Sequence, residues 1–179
     1  MTPETSALVG AARRGDRAAF AVLVERYYPR ALRFASRMLG DPLDAEEAVQ
    51  DAWVRVHGAL PRFVDGAAFE PWFFRILANR CRTSSGKRAR YVTVVVTADV
   101  VPDSAAPVAP DDSWRDEVQR ALAQLPAEQR EAFLLRHVED LSYEEIAEAT
   151  GIGLSAARMR VKRACDALRL QLTETAAND

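Results

Sequence analysis

The sequence predicts an all-α protein: two small helical domains joined by a flexible linker, the C-terminal one a helix-turn-helix. Three observations carry this. Apolar residues recur at helical spacing, as in Phe20, Leu23, Val24, Tyr27, Ala31, Ala35 and Met38. Residues 92–112, VTVVVTADVVPDSAAPVAPDD, break that pattern with a β-branched run, three prolines and no basic residue. Between residues 141 and 170, two short amphipathic patterns meet at a glycine. The expected domains are therefore 1–91 and 113–179, with 92–112 as the linker. A competing expectation is that Val92 to Val96, being β-branched, forms a short packed strand.

In the first domain, Thr5 to Arg14 predicts a short helix ending at Gly15, and Asp16 is placed to cap a longer one reaching Leu39. Pro29 falls inside it. A proline removes one backbone hydrogen bond and crowds the preceding turn, so a kink or break is expected near Arg26. After Gly40, Asp41 and Pro42, the spacing of Asp44 and Glu47 predicts a capping box opening a third helix, with Ala45, Ala48, Val49, Ala52 and Val56 as its buried stripe. Glu46, Gln50, Trp53 and His57 share an adjoining face. A large aromatic among polar residues suits a protein contact, and equally suits a residue folded over its own core.

Between Glu70 and Asp99 there is no acidic residue, whereas Arg75, Arg80, Arg82, Lys87, Arg88 and Arg90 accompany Trp72, Phe73, Phe74 and Tyr91. Cations attract phosphates and aromatic faces stack on unpaired bases, a mixture suited to single-stranded or melting DNA. Pro71 fits the first turn of this helix, and Phe73, Ile76 and Leu77 are expected in the core. The preceding stretch, PRFVDGAAFE, reads as a loop with Phe63 and Phe69 near its ends.

In the second domain, Trp114 to Leu125 and Pro126 to Val138 predict two helices whose Leu122, Leu125, Phe133, Leu134 and Val138 close a small core. Ser142 with Glu145 forms a capping box for the next helix, and Gly151 supplies the turn. A last helix from Ser155 buries Ala157, Val161, Ala164 and Leu168, which recur at one helical stripe. Ser155, Met159, Lys162 and Asp166 point away from that stripe, flanked by Arg158, Arg160, Arg163 and Arg169. The arrangement presents cations to a DNA major groove.

Composition excludes several other classes. Of the 179 residues, 49% are apolar and 28% charged, ordinary values for a globular protein. No apolar run approaches the roughly 20 residues that span a bilayer, and Thr2 to Gly15 lacks the basic and apolar regions of a signal peptide, so no membrane insertion and a cytoplasmic location are expected. Cys81 and Cys165 have neither metal-binding nor disulfide-framework spacing. With no Gly-rich phosphate loop, no His/Cys cluster and no nucleophile beside a base, no catalytic residue, metal or cofactor is expected, and the chain reads as a non-enzyme. The net charge is −2 but unevenly placed: residues 1–91 hold 15 basic and 10 acidic groups, residues 113–179 hold 9 and 12.

The succession GDRAAFAVLVERYYPRALRFASRMLGDPLDAEEAVQDAWVRV, FEPWFFRILANRCR, a linker, and LPAEQREAFLLRHVEDLSYEEIAEATGIGLSAARMRVKRA resembles the bacterial extracytoplasmic-function sigma factors. That resemblance implies a protein that joins core RNA polymerase and directs transcription initiation at promoter DNA, with an anti-sigma factor as a further candidate partner. Matching DAEEAVQDAW to the family's polymerase-clamp contact implies that role for Glu46, Gln50 and Trp53. The pattern of Trp72, Ile76 and Asn79 matches the helix that melts the minus-ten element, which implies Asn79 as base reader, Trp72 and Arg80 as DNA contacts, and the Phe63 to Phe69 loop as the wall of a flipped-base pocket. Promoter-reading positions for the duplex minus-thirty-five element fall on Ser155, Arg158, Met159, Lys162 and Arg163. The chain departs from the family's pattern at Ser155, Ala156 and Ala157, where Gly-Thr-Val is common, and at Thr83, Ser84 and Gly86. A stand-alone helix-turn-helix regulator that never touches polymerase is the alternative, and it predicts self-association and tight duplex binding in isolation.

Overall fold

The computed structural model describes residues 3–64, 66–95 and 113–176, and every element among them is helical. In chain order these are α1 (Pro3–Arg13), α2 (Arg17–Leu39), α3 (Pro42–Ala59), a 3-10 turn (Leu60–Arg62), α4 (Phe69–Val95), α5 (Ser113–Gln124), α6 (Ala127–His137), α7 (Tyr143–Thr150) and α8 (Leu154–Ala176). Helix α4 continues through Val95, so Val92 to Val95 extend a helix instead of opening a linker or a strand. The remainder of the expected linker, residues 96–112, lies outside the described residues.

Local chemistry sets most helix ends. Asp16 caps α2 by accepting from the Ala18 and Ala19 backbone N–H groups at 2.9 and 3.1 Å. The helix stops at Gly40, whose φ of 74° is the left-handed conformation a terminating residue takes. Pro29 lies within α2, which runs on without a break. Helix α3 starts earlier than Asp44 and Glu47 suggest. Its cap is Asp41, which accepts from the Leu43 and Asp44 N–H groups, and Pro42 takes the first-turn position where a missing N–H costs nothing.

The N-terminal bundle, α1 to α4, packs around Leu23, Tyr27 and Phe34 of α2, Val49, Trp53 and Val56 of α3, and Phe69, Phe73, Phe74 and Leu77 of α4. Its centre is aromatic. Phe73 lies 4.7 Å from Trp53, 5.2 Å from Phe74 and 5.9 Å from Phe69, centroid to centroid. Tyr27 is buried, and its hydroxyl donates to Glu70 Oε1 at 2.5 Å, tying α2 to the start of α4. Burial, reinforced by that bond to a carboxylate, pushes the phenol well above its ordinary range.

In the C-terminal bundle, Leu122, Leu125 and Leu134 are buried as expected, while Phe133 and Val138 are only partly buried and Leu135 and Ile146 complete the core. The capping box forms: the Glu145 N–H donates to Ser142 Oγ at 3.2 Å, and the Ser142 N–H donates to Glu145 Oε2 at 2.7 Å. Gly151, at φ 70°, makes the turn. Helix α8 begins at Leu154, one residue before Ser155, and buries Ala157, Val161, Ala164 and Leu168 against α6 and α7.

The two bundles pack on each other through α4 with α7 and α6, and α2 with α5 and α6. Arg130 reaches across to the C-terminal end of α2, donating to the Met38 carbonyl at 2.7 Å, where a cation opposes the exposed carbonyl dipoles. Gln119 donates to the Ser36 carbonyl at 3.2 Å.

The two thiols differ in environment. Cys81 is fully buried, and burial, with the Glu131 carboxylate nearby, pushes it up to about 12, whereas Cys165 is half-buried with its sulfur 3.5 Å from His137 Nε2. A maleimide titration at neutral pH is therefore expected to modify Cys165 in the native protein and Cys81 only after denaturant is added. Rapid labelling of both in the native state would contradict this packing.

Candidate nucleic-acid interface

Because α3 packs along α4, the C-terminal end of α3 and the first half of α4 form the two walls of a groove of about 850 Å³. Asn79, Arg80, Arg82 and Ile76 come from α4, Arg55 from α3, and Arg62 from the turn that follows it. Asn79 is exposed and accepts at Oδ1 from Arg82 Nη2. No carboxylate lines this groove, and four arginines do. A single strand's phosphates would find cations on both walls.

Beside the groove, a smaller depression of about 320 Å³ lies against Trp72, Phe63 and Pro71. Trp72 is half-buried, with Phe63 4.8 Å and Phe69 5.8 Å behind it. Phe63 contacts the depression, but Phe69 is completely buried and lines no part of it. The loop expected as the wall contributes Phe63, Val64, Ala67 and Ala68 to the depression, while Phe69 at its end supports Trp72 from within the core. Arg13 holds the loop by donating to the Phe63 carbonyl at 3.0 Å.

Sequence reading missed Arg55 and Arg62, because it counted basic residues within one window. These two enter the groove only through the packing of α3 on α4, a relation no local count contains.

On α3, Glu46 and Gln50 are exposed, but Trp53 is 6% exposed and packs edge-on to Phe20 at 5.8 Å. Of its two possible placements, Trp53 takes the core one. The outer stripe instead carries Leu43 and Val54, at 77% and 73% exposure, with Gln50 between them at helical spacing. Leu43, Gln50 and Val54 thus lie along one exposed face of α3.

The outer face of α8 is as expected. Ser155, Arg158, Met159, Lys162 and Arg163 are all exposed, and Arg158 lies over the Tyr143 ring at 5.7 Å. Lys162 pairs with Asp166 at 2.8 Å, and the bond to Lys162 lowers the Asp166 carboxyl. Arg160 turns inward to Glu128 at 2.7 Å and leaves the outer face.

Among the described residues, no helix is long and apolar enough to cross a membrane. Two family models match the chain: Sigma-70 region 2 over residues 23–91 and Sigma-70 region 4 over residues 115–168. The RNA polymerase sigma factor CarQ of Myxococcus xanthus is 36% identical over 164 residues, covering 90% of this chain and 94% of that protein. The ECF RNA polymerase sigma-E factor of Escherichia coli K12 is 30% identical, with 90% of each chain covered. The sigma factor RpoE of Bartonella quintana, solved in complex with the anti-sigma factor NepR, superposes with a TM-score of 0.74 at 27% identity, over 86% of this chain and 96% of that one. With full-length relatives, both conserved regions and the same fold, the alternative of an unrelated stand-alone regulator falls away, and the chain belongs to the extracytoplasmic-function RNA polymerase sigma factors, which direct transcription initiation.

Proposed function

We propose the following division of labour. The α3 face of Leu43, Glu46, Gln50 and Val54 docks on core RNA polymerase, the α3/α4 groove takes the melted minus-ten strand, and the outer face of α8 reads the minus-thirty-five duplex. The observation that carries this reading is the groove, where Arg55, Arg62, Arg80 and Arg82 surround Asn79 beside the half-buried ring of Trp72. Trp72, backed by Phe63, offers an aromatic surface to an unstacked base, and Asn79 offers both donor and acceptor to that base's edge. On α8, Arg158, Lys162 and Arg163 supply donors for phosphates or guanine edges, while Ser155 and Met159 fill the space between them. The location is cytoplasmic, where core polymerase works, and the chain acts by binding with no catalytic step of its own. The complex of the Bartonella protein with NepR supports an anti-sigma factor as a partner here too.

The polymerase face is tested by charge. Leu43→Asp and Val54→Asp alter exposed positions, so the unfolding midpoint should stay near that of the parent while recovery of core polymerase in a pull-down falls about tenfold or more, as for an apolar contact worth about 2 kcal/mol. Undiminished recovery with both folded variants would remove α3 from the interface.

A further inference from the structure

An exposed apolar side chain stands in the middle of the outer face of α8. Met159 is 44% exposed, about one turn after Ser155 and one turn before Arg163. A single exposed methionine needs no explanation by itself. Its neighbours give this one a role, because the other long polar side chains around it are drawn aside. Arg158 lies over the Tyr143 ring at 5.7 Å, with its Nη2 3.8 Å from Glu144 of α7. Arg160 turns inward to Glu128 of α6 at 2.7 Å, and Lys162 reaches towards the C-terminal end of its own helix to meet Asp166 at 2.8 Å. Ser155 and Ala156 are exposed, but both are short. Met159 is therefore left projecting between them, outside the buried core.

The second helix of a helix-turn-helix meets base edges with its N-terminal residues, and those edges present mostly hydrogen-bond donors and acceptors to the major groove. A thioether donates nothing and accepts only weakly. It does match the one apolar group of an unmodified major groove, the thymine 5-methyl, against which an unbranched and adaptable chain can lie. A guanine or cytosine edge beneath Met159 would instead give up water from its polar atoms and gain no partner. We propose that Met159 is a specificity-determining residue for the upstream duplex, selecting a thymine through its 5-methyl group, while Arg158 and Arg163 on either side hold phosphates or guanine edges. The inference rests on the reading of α8 as the duplex-reading helix, and adds the base that the centre of its face selects.

The test uses holoenzyme assembled from the full chain and core polymerase. Duplexes with a randomised upstream segment of about ten base pairs, roughly one helical turn, are selected for binding in the cold, where the strands stay closed. Each thymine of the selected segment is then replaced in turn by deoxyuridine, which pairs with adenine in the same way and lacks only the methyl group. At one thymine the parent should lose about fourfold in affinity, the worth of one buried methyl. Met159→Ala, a change at an exposed position that spares the core, should bind the thymine and deoxyuridine duplexes alike at that site. Arg163→Ala should weaken binding to both duplexes and keep the preference for thymine. If Arg163→Ala leaves duplex affinity unchanged, α8 does not read duplex and the inference falls with that reading. If Arg163→Ala weakens binding, the reading of α8 stands, and the role of Met159 is overturned by any of three results: a selected segment of G·C pairs alone, no thymine whose methyl matters, or the same loss on deoxyuridine substitution with Met159→Ala as with the parent.

Discussion

Trp53→Ala destabilises the N-terminal bundle by about 3–5 kcal/mol, the range for truncating a large aromatic in a packed core. The indole is 6% exposed and touches Phe20 from α2 and Phe73 from α4, so its loss opens a void where three helices meet. Neither neighbour can fill that void without leaving its own contacts: Phe73 is held by Tyr27, Phe69 and Phe74. Small domains are stable by about 5–15 kcal/mol in all, so the variant should unfold at a much lower urea concentration, followed by circular dichroism. Polymerase binding would fall only in proportion to the folded fraction. Gln50→Ala, at an exposed position on the same helix, should leave the midpoint unchanged. A Trp53→Ala midpoint equal to the parent's would mean the side chain faces outward after all.

On the proposed division of labour, Asn79→Ala should leave binding to closed promoter duplex nearly intact and suppress strand opening, and Arg163→Ala should do the reverse. The reason is when each side chain can meet its target. A base edge beside Trp72 is available only once the strands part, whereas α8 meets duplex from the outset. Arg163→Ala should cost about 1–3 kcal/mol if it contacts a base and less if it holds only phosphate, and a lost phosphate contact flattens the salt dependence. Permanganate footprinting with holoenzyme separates the two variants. Normal opening by Asn79→Ala, or normal binding with failed opening by Arg163→Ala, would reverse the assignment. Because Asn79 accepts from Arg82 Nη2, its removal also releases that nitrogen, while Nη1 stays on Glu131. Arg82→Lys provides the comparison, since an ammonium cannot grip both oxygens of Glu131 and donate to Asn79 in one plane.

The helices themselves were legible in the sequence. The stripes Ala45 to Val56 and Ala157 to Leu168 are buried as their spacing requires, and the Ser142/Glu145 box and Gly151 sit where local chemistry puts them. These features depend on residues within about one or two helical turns, so the order of amino acids specifies them directly. The outward face of α8 follows from the same periodicity. Errors arose where two local rules competed. Asp41 with Pro42 outdid Asp44 as the cap of α3, and α4 runs on through Val95 against the β preference of its last, β-branched residues.

What the tertiary structure alone decided concerns partners far apart in the chain. Trp53 sits between two polar neighbours of the outer face, and only the approach of Phe20 and Phe73 buries it. Arg55 and Arg62 join the groove because α3 lies along α4. Glu131 reads as one more acid on a helix until it meets Arg82, 49 residues away. Periodicity reports which way a side chain faces from its own helix axis, and says nothing of what stands there. That is settled when the apolar stripes pack together, since burial is non-directional while the pairing of charges needs positions fixed by the whole fold.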